Sequence, residues 1–256
     1  MRTGLAGVAL ASLLAGQTMP ADRPAPRTDR NSQLAHEQLL AKRKQGRIDV
    51  YFEGDSITRR WGATDYPQFL ENWKQNFFGW NAADFGWGAD RVENILWRLE
   101  NGELDGVNPK VIVLLAGTNN VGNKLPAEGI DAAAGNLTKG LTAVVRLMQA
   151  KAPEAVIILM GIFPRHDNPA VLPLIDQVNA TLSRMADGRK LRYLNLNSAF
   201  RDEMLNPTDK LHLTLAGYQA WADALKPILT ELLGPAAKQD QAPPPTGDPS
   251  RAVRQP

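Results

Sequence analysis

Three residue types that together can transfer an acyl group stand at telling places in this chain: a serine at a turn, a histidine three residues after an aspartate, and an asparagine in a glycine-flanked loop. The serine, Ser56, lies in residues 49–61, DVYFEGDSITRRW, where an apolar run halts at Gly54-Asp55-Ser56. Such a pattern reads as a strand, a sharp turn and the start of a helix. Its hydroxyl would then sit at the carboxyl end of a strand, where open parallel sheets hold their ligands. Unpaired N–H groups at a helix start also favour negative charge developing nearby. Asp and Ser are ordinary turn and N-cap residues as well. The serine therefore signifies chemistry only if the chain also supplies a base and donors for an oxyanion.

The base must come from His36, His166 or His212. His36 falls in a terminal helix candidate and is expected in solvent, and His166 reads as a polar loop residue at a rim. His212 differs, because Asp209 precedes it by three positions and would share its side of a helical turn. A carboxylate bound to one imidazole nitrogen fixes the tautomer and leaves the other nitrogen basic. A serine hydroxyl needs that pairing to attack near neutral pH. Oxyanion donors could be the backbone N–H of Ser56, a backbone N–H in Gly88-Ala89, and the carboxamide of Asn119. Plain turn geometry accounts for the neighbouring glycines equally well.

Other chemistries find less support. Gly86-x-Gly88-x-x-Arg91 lacks the third glycine of a dinucleotide fingerprint, and no G-x-S-x-G elbow or P-loop is present. With no cysteine, thiol nucleophiles, disulfides and thiolate metal sites are excluded. One His-Asp pair makes a poor metal site, so neither metal nor cofactor is expected.

Residues 48–53, 81–85, 111–115, 155–160 and 191–196 read as strands, the third and fourth being uninterrupted apolar runs. Helical spacing recurs over 34–44, 66–78, 91–99, 130–150, 172–186 and 214–233, with Thr214 as the N-cap of the last. Alternating strands and helices predict a three-layer α/β/α sandwich around a five-stranded parallel sheet. Residues 34–233 form that domain in this reading. Residues 22–33, with Pro24 and Pro26, read as a linker, and 234–256 as a disordered Pro-rich tail.

Arg2 followed by the apolar run 5–15 has the layout of a secretory signal over residues 1–21, which predicts a secreted or periplasmic protein. That run is too short to span a bilayer. The net charge of +2 comes from the terminal segments, leaving the domain near −1, so no basic stripe argues for nucleic acid. The oligomeric state is not legible.

Gly54-Asp55-Ser56-Ile57, the loop from Gly88 to Asp90, Gly117-Thr118-Asn119-Asn120 and Asp209-x-x-His212 resemble, in order, the four blocks of the SGNH or GDSL hydrolases. Residues 85–120 further resemble the platelet-activating-factor acetylhydrolase branch, notably VENILWRLENGEL from Val92 to Leu104. The resemblance implies the flavodoxin-like fold of that family, Ser56 as nucleophile, Asp209 and His212 completing a triad, and Ser56, Ala89 and Asn119 as oxyanion donors. The family usually has glycine where Ala89 stands. It implies a serine esterase without a cofactor. Short loops without an apolar lid favour an acetyl group, and Trp61 and Trp87 beside the loops could stack on a sugar. Deacetylation of an extracellular carbohydrate is the expectation. A lysophospholipase or thioesterase is the alternative, and so is a carbohydrate- or lipid-binding module without turnover.

Overall fold

A computed structural model describes residues 19–252. In chain order these form α1 (Arg30–Lys42), β1 (Val50–Gly54), α2 (Ser56–Gly62), α3 (Pro67–Phe77), β2 (Ala82–Asp84) and α4 (Val92–Glu100). Then follow β3 (Val111–Leu115), α5 (Thr118–Val121), α6 (Ile130–Lys151), β4 (Val156–Met160), α7 (Leu172–Met185), β5 (Leu191–Leu194), α8 (Leu215–Leu233) and α9 (Pro249–Ala252). All five strands pair in parallel, in the order β2-β1-β3-β4-β5.

Alternation along the strands divides the core in two. Tyr51, Ile112, Leu114, Ile157 and Leu159 face α4, α6 and α7, and pack on Ile95, Leu141, Val144 and Val178. Phe52, Val113, Leu115, Ile158 and Met160 face the opposite layer, built from α2, α3 and α8 with Trp61, Trp73, Tyr218 and Trp221. Strands buried on both faces need the unbroken apolar runs seen in the sequence. The strand order reverses between β1 and β3, where Gly54 lies opposite Leu115. Such a switch point, beyond the strands' carboxyl ends, is where open parallel sheets place their ligand crevices. Ser56 follows β1 there and Asn119 follows β3.

The terminal segments depart from expectation. Helix α1 starts at Arg30, capped by Asp29, whose carboxylate accepts the Ser32 N–H at 2.9 Å. Residues expected to form a linker lie on the domain: the Ala25 N–H donates to the Glu93 carbonyl at 3.0 Å, and the Asn94 side chain donates to the Ala25 carbonyl at 2.9 Å. The reading of 234–256 as a disordered tail is corrected as far as residue 252. Ala237 donates to the Gly79 carbonyl, Arg47 to the Gln241 carbonyl, and the Gln241 N–H to Asn81 Oδ1 at 2.7 Å. These contacts use backbone groups, which a composition without apolar periodicity does not reveal. Residues 1–18 of the expected signal, and 253–256, lie outside the described residues. Among the described residues no helix is long and apolar enough to cross a membrane.

Candidate active site

The turn that presents Ser56 is closely constrained. Gly54 has no room for a side chain, since a carbon there would collide with Thr58 Oγ1 and the Leu115 carbonyl. Asp55 caps α2, its Oδ1 accepting the Ile57 N–H at 2.9 Å. The other oxygen of Asp55 is buried without a hydrogen-bond partner, and burial pushes the carboxyl up to about 7. Ser56, first residue of α2, points its hydroxyl at His212, with Oγ 2.9 Å from Nε2.

The residues bringing His212 there do not form a helical turn. A two-residue antiparallel bridge, Leu205 to Leu213, closes a loop in which Lys210 has φ of 50°. Within it the Asn206 N–H donates to the His212 carbonyl at 2.7 Å, and the Lys210 N–H to the Asn206 carbonyl at 2.8 Å. Thr214 then caps α8, accepting the Gly217 N–H. Asp209 bonds the imidazole through Oδ2, 2.8 Å from Nδ1, while Oδ1 accepts the N–H groups of Leu211 and His212 at 3.0 and 2.9 Å. Burial alone would raise Asp209, but those backbone donors and the imidazole hold it below the usual carboxylate value. His212 is lowered by burial first and by the Arg60 charge second, against the opposing pull of Asp209. A neutral imidazole near pH 7 can accept the serine proton. Arg60, one helical turn after Ser56, lies 3.7 Å from Asp209 Oδ2.

Asn119 projects from α5, whose start requires φ of 118° at Gly117. Its amide donates to the Asp90 carbonyl at 2.8 Å, leaving the second amide hydrogen for a ligand. Asn120 secures the same loop, accepting the Val92 N–H at 2.9 Å and donating to Glu93 at 2.8 Å. Ala89 has φ of 62°, the left-handed region that favours glycine, which accounts for the glycine usual there in the resembling family. Gly88 has open space where a side chain would go.

A buried charge network underlies this loop and went unread in the sequence. Arg98 donates to Asp90 at 2.7 Å, to Glu53 at 2.7 Å, to Glu103 and to the Phe85 carbonyl at 3.0 Å. Burial raises Asp90 to about 6 against the pull of Arg98. Arg27, from the N-terminal segment, adds bonds to the Gly88 carbonyl and to Asp90 at 3.1 and 3.3 Å. The available signal was Glu53, an acid inside an apolar strand.

Ser56, His212 and Asp209 are thus joined in one hydrogen-bonded chain, and Asn119 is tied to the loop from Gly88 to Asp90 through the Asp90 carbonyl. The two tryptophans are not part of this arrangement. Trp61 is wholly buried, its indole N–H donating to Asn72 at 2.9 Å and its ring 4.9 Å from those of Phe77 and Trp221. Trp87 is 6% exposed, donates to Ser32 Oγ at 2.8 Å, and has the Arg59 guanidinium 4.8 Å from its ring centre. Both rings are buried, so the stacking expectation is withdrawn. His36 is not solvated either, lying 2.6 Å from Glu103 and beside Trp97. His166 stays at the rim, 3.3 Å from Asp202.

A serine joined to a histidine and an aspartate at a sheet switch point, with an asparagine amide following the neighbouring strand, defines the setting of an acyl hydrolase. The sequence profile of the GDSL-like lipase/acylhydrolase family matches residues 52–220, and the chain belongs to that family. It is 31% identical over 239 residues to the human platelet-activating factor acetylhydrolase IB subunit alpha1, covering 89% of this chain and 95% of that one. The rat alpha2 subunit is 31% identical over 216 residues, covering 80% and 86%. Among solved structures, a GDSL-like lipase from Bacteroides thetaiotaomicron superposes with a TM-score of 0.54 at 19% identity, covering 77% of this chain and 98% of that one. A family 3 carbohydrate esterase from Talaromyces cellulolyticus gives 0.51 at 17%, covering 72% and 97%. These two likenesses show the shared fold.

Proposed function

We propose that this acylhydrolase is a serine esterase for short acyl esters, acetyl above all, working through an acyl-enzyme. The observation that carries the reading is the continuous chain of hydrogen bonds from Ser56 Oγ through His212 to Asp209, at 2.9 and 2.8 Å. His212 takes the Ser56 proton as the hydroxyl oxygen attacks the ester carbonyl. The N–H groups of Ser56 and Ala89 and the free amide hydrogen of Asn119 stabilise the oxyanion. His212 then protonates the departing alcohol, and a water activated by His212 releases the acid and regenerates Ser56. Asp209 holds the ring in the tautomer that leaves Nε2 basic.

Preference for acetyl is supported by the relatives at 31% identity, both named acetylhydrolases. For the alcohol half, an acetylated carbohydrate, carried outside the cytoplasm by the expected signal, is the class to try first. With Trp61 and Trp87 buried, sugar recognition would fall to polar loop groups. The test is hydrolysis of p-nitrophenyl acetate, butyrate and octanoate by the wild type and by Ser56→Ala, followed by acetylated sugars against lysophospholipids. Wild-type turnover by Ser56→Ala would remove the proposed nucleophile, and faster octanoate than acetate hydrolysis would remove the acetyl preference.

A further inference from the structure

Away from the crevice, a cavity of about 320 Å³ lies between α3, the edge strand β2 and the C-terminal segment. That volume is at the small end of ligand pockets, about 300–1,000 Å³. Leu70, Trp73 and Phe77 form one wall and Pro243, Pro244 and Pro245 the other. Phe78, 54% exposed, stands at the mouth. Lys42 lies on the lining, although the residue is only 2% exposed.

Hydrogen-bond accounting makes this lysine unusual. Its ammonium donates to the Asp84 carbonyl at 2.7 Å and lies 5.4 Å from the centre of the Phe85 ring. Among the described residues it has no other hydrogen-bond acceptor, so two of its three N–H donors are unspent. The acids of the same cavity are already engaged. Asp84 accepts the N–H groups of Gly62 and Gly86 at 3.0 and 2.7 Å, and Asp240 those of Gly79 and Ala242 at 2.6 and 2.7 Å. Lys74, also on the lining, makes no side-chain hydrogen bond among the described residues. The cavity therefore combines apolar walls, satisfied carboxylates and ammonium groups with donors to spare. Leaving ammonium donors unpaired out of water is costly, and an anionic oxygen acceptor relieves that cost.

We propose that this cavity binds an amphipathic monocarboxylate. Its carboxylate accepts from Lys42 Nζ, and its apolar chain lies between Trp73, Phe77 and the three prolines, leading out past Phe78. A carboxylate is preferred to a neutral ligand because the unspent groups are donors on a cation. An organic cation is disfavoured because the acids have no oxygen left without a donor. The cavity is separate from the Ser56 crevice, so occupation does not require turnover.

The experiment is a titration of the full-length wild-type protein with sodium octanoate, read by tryptophan fluorescence through Trp73 and by calorimetry, with octanol and octyltrimethylammonium as matched probes. Saturable octanoate binding is expected, about tenfold or more tighter than either matched probe, from the charge-assisted hydrogen bonds. Lys42→Met should erase that preference. Should that variant fail to fold, Phe78→Asp, at an exposed position, decides: it should weaken octanoate several-fold by repulsion at the mouth. No saturable binding, equal binding of octanoate and octanol, or octanoate binding unchanged in the folded variants would overturn the proposal. The last result would put the octanoate elsewhere on the protein.

Discussion

Substituting Asp55 by Asn should change how the stability of this protein depends on pH. Asp55 is 1% exposed, one of its oxygens has no partner, and burial raises its carboxyl to about 7 from an ordinary value near 3.8. A raised acid binds its proton more tightly in the folded state than in the unfolded one. Its contribution is therefore fully present below pH 3.8 and is lost as pH climbs toward 7. The limiting slope for one group is about 1.4 kcal/mol per pH unit, so over some three units the carboxylate costs up to about 4 kcal/mol by pH 8. Asn at this position keeps an oxygen for the Ile57 N–H and does not titrate. Subtracting the two proteins' urea-unfolding free energies at each pH cancels the contribution of the other carboxylates, including Glu53 and Asp84, which are also raised by burial. Relative to wild type, Asp55→Asn should gain stability between pH 4 and 8, by about 2–4 kcal/mol. A difference that stays flat over that interval would refute the account of Asp55 as a carboxyl held in its protonated form by burial.

Four further outcomes test the site itself. Asn119→Ala should lower kcat for p-nitrophenyl acetate about a hundred- to a thousand-fold, since it removes one oxyanion donor. His212→Ala should lose about a million-fold, by the scale of a disrupted triad, and the gap between the two separates donor from base. Arg60→Gln should move the acid limb of the kcat/KM profile to higher pH, because Arg60 helps hold His212 low. The other charged groups facing that ring, Asp209 and Arg165, are unchanged in the variant, so an unmoved limb would contradict the electrostatic role. Ala89→Gly should raise the melting temperature by a few degrees: relief of about 1–2 kcal/mol of left-handed strain exceeds the glycine entropy cost of roughly 0.5–1 kcal/mol. A lowered melting temperature would show that the methyl group packs usefully.

The sheet was legible because strands buried on both faces demand apolar runs, and Val111–Leu115 could be little else. Ser56 and Asn119 could be picked out because each follows an apolar strand at its polar end, and the switch point of a parallel sheet draws such ends together, whereas His212 stood out through Asp209 three positions earlier. Direction was harder to read. Trp61 lies five residues after Ser56, and a helical count places it with Ile57 and Thr58 on the buried face of α2, away from the crevice. Trp87 gave no such count, since its burial depends on Ser32 and Arg59 arriving from distant segments. The Arg98 network was hidden for the same reason, its partners lying up to 45 residues away along the chain. Segments without periodicity, at 22–33 and after Gly234, are held by backbone groups that every residue carries, together with scattered polar side chains such as Arg27 and Asp240, and their composition misled.

The loop carrying both Asp209 and His212 has a bearing on the order in which the molecule becomes competent. Those two side chains are fixed relative to each other within a stretch of four residues, yet they meet Ser56 only across a separation of 156 residues. Closing so long a span is the entropically slow kind of contact, and it requires α8 to dock behind the loop. Recovery of esterase activity during refolding should therefore report the arrival of the C-terminal helix. Contact of Trp73 with Phe52 involves only nearby segments, so the first change in its fluorescence is expected earlier, before α8 completes that layer. Catalysis would then serve as a clock for the last large assembly step, with the interval between the two signals measuring how long the chain waits for its base.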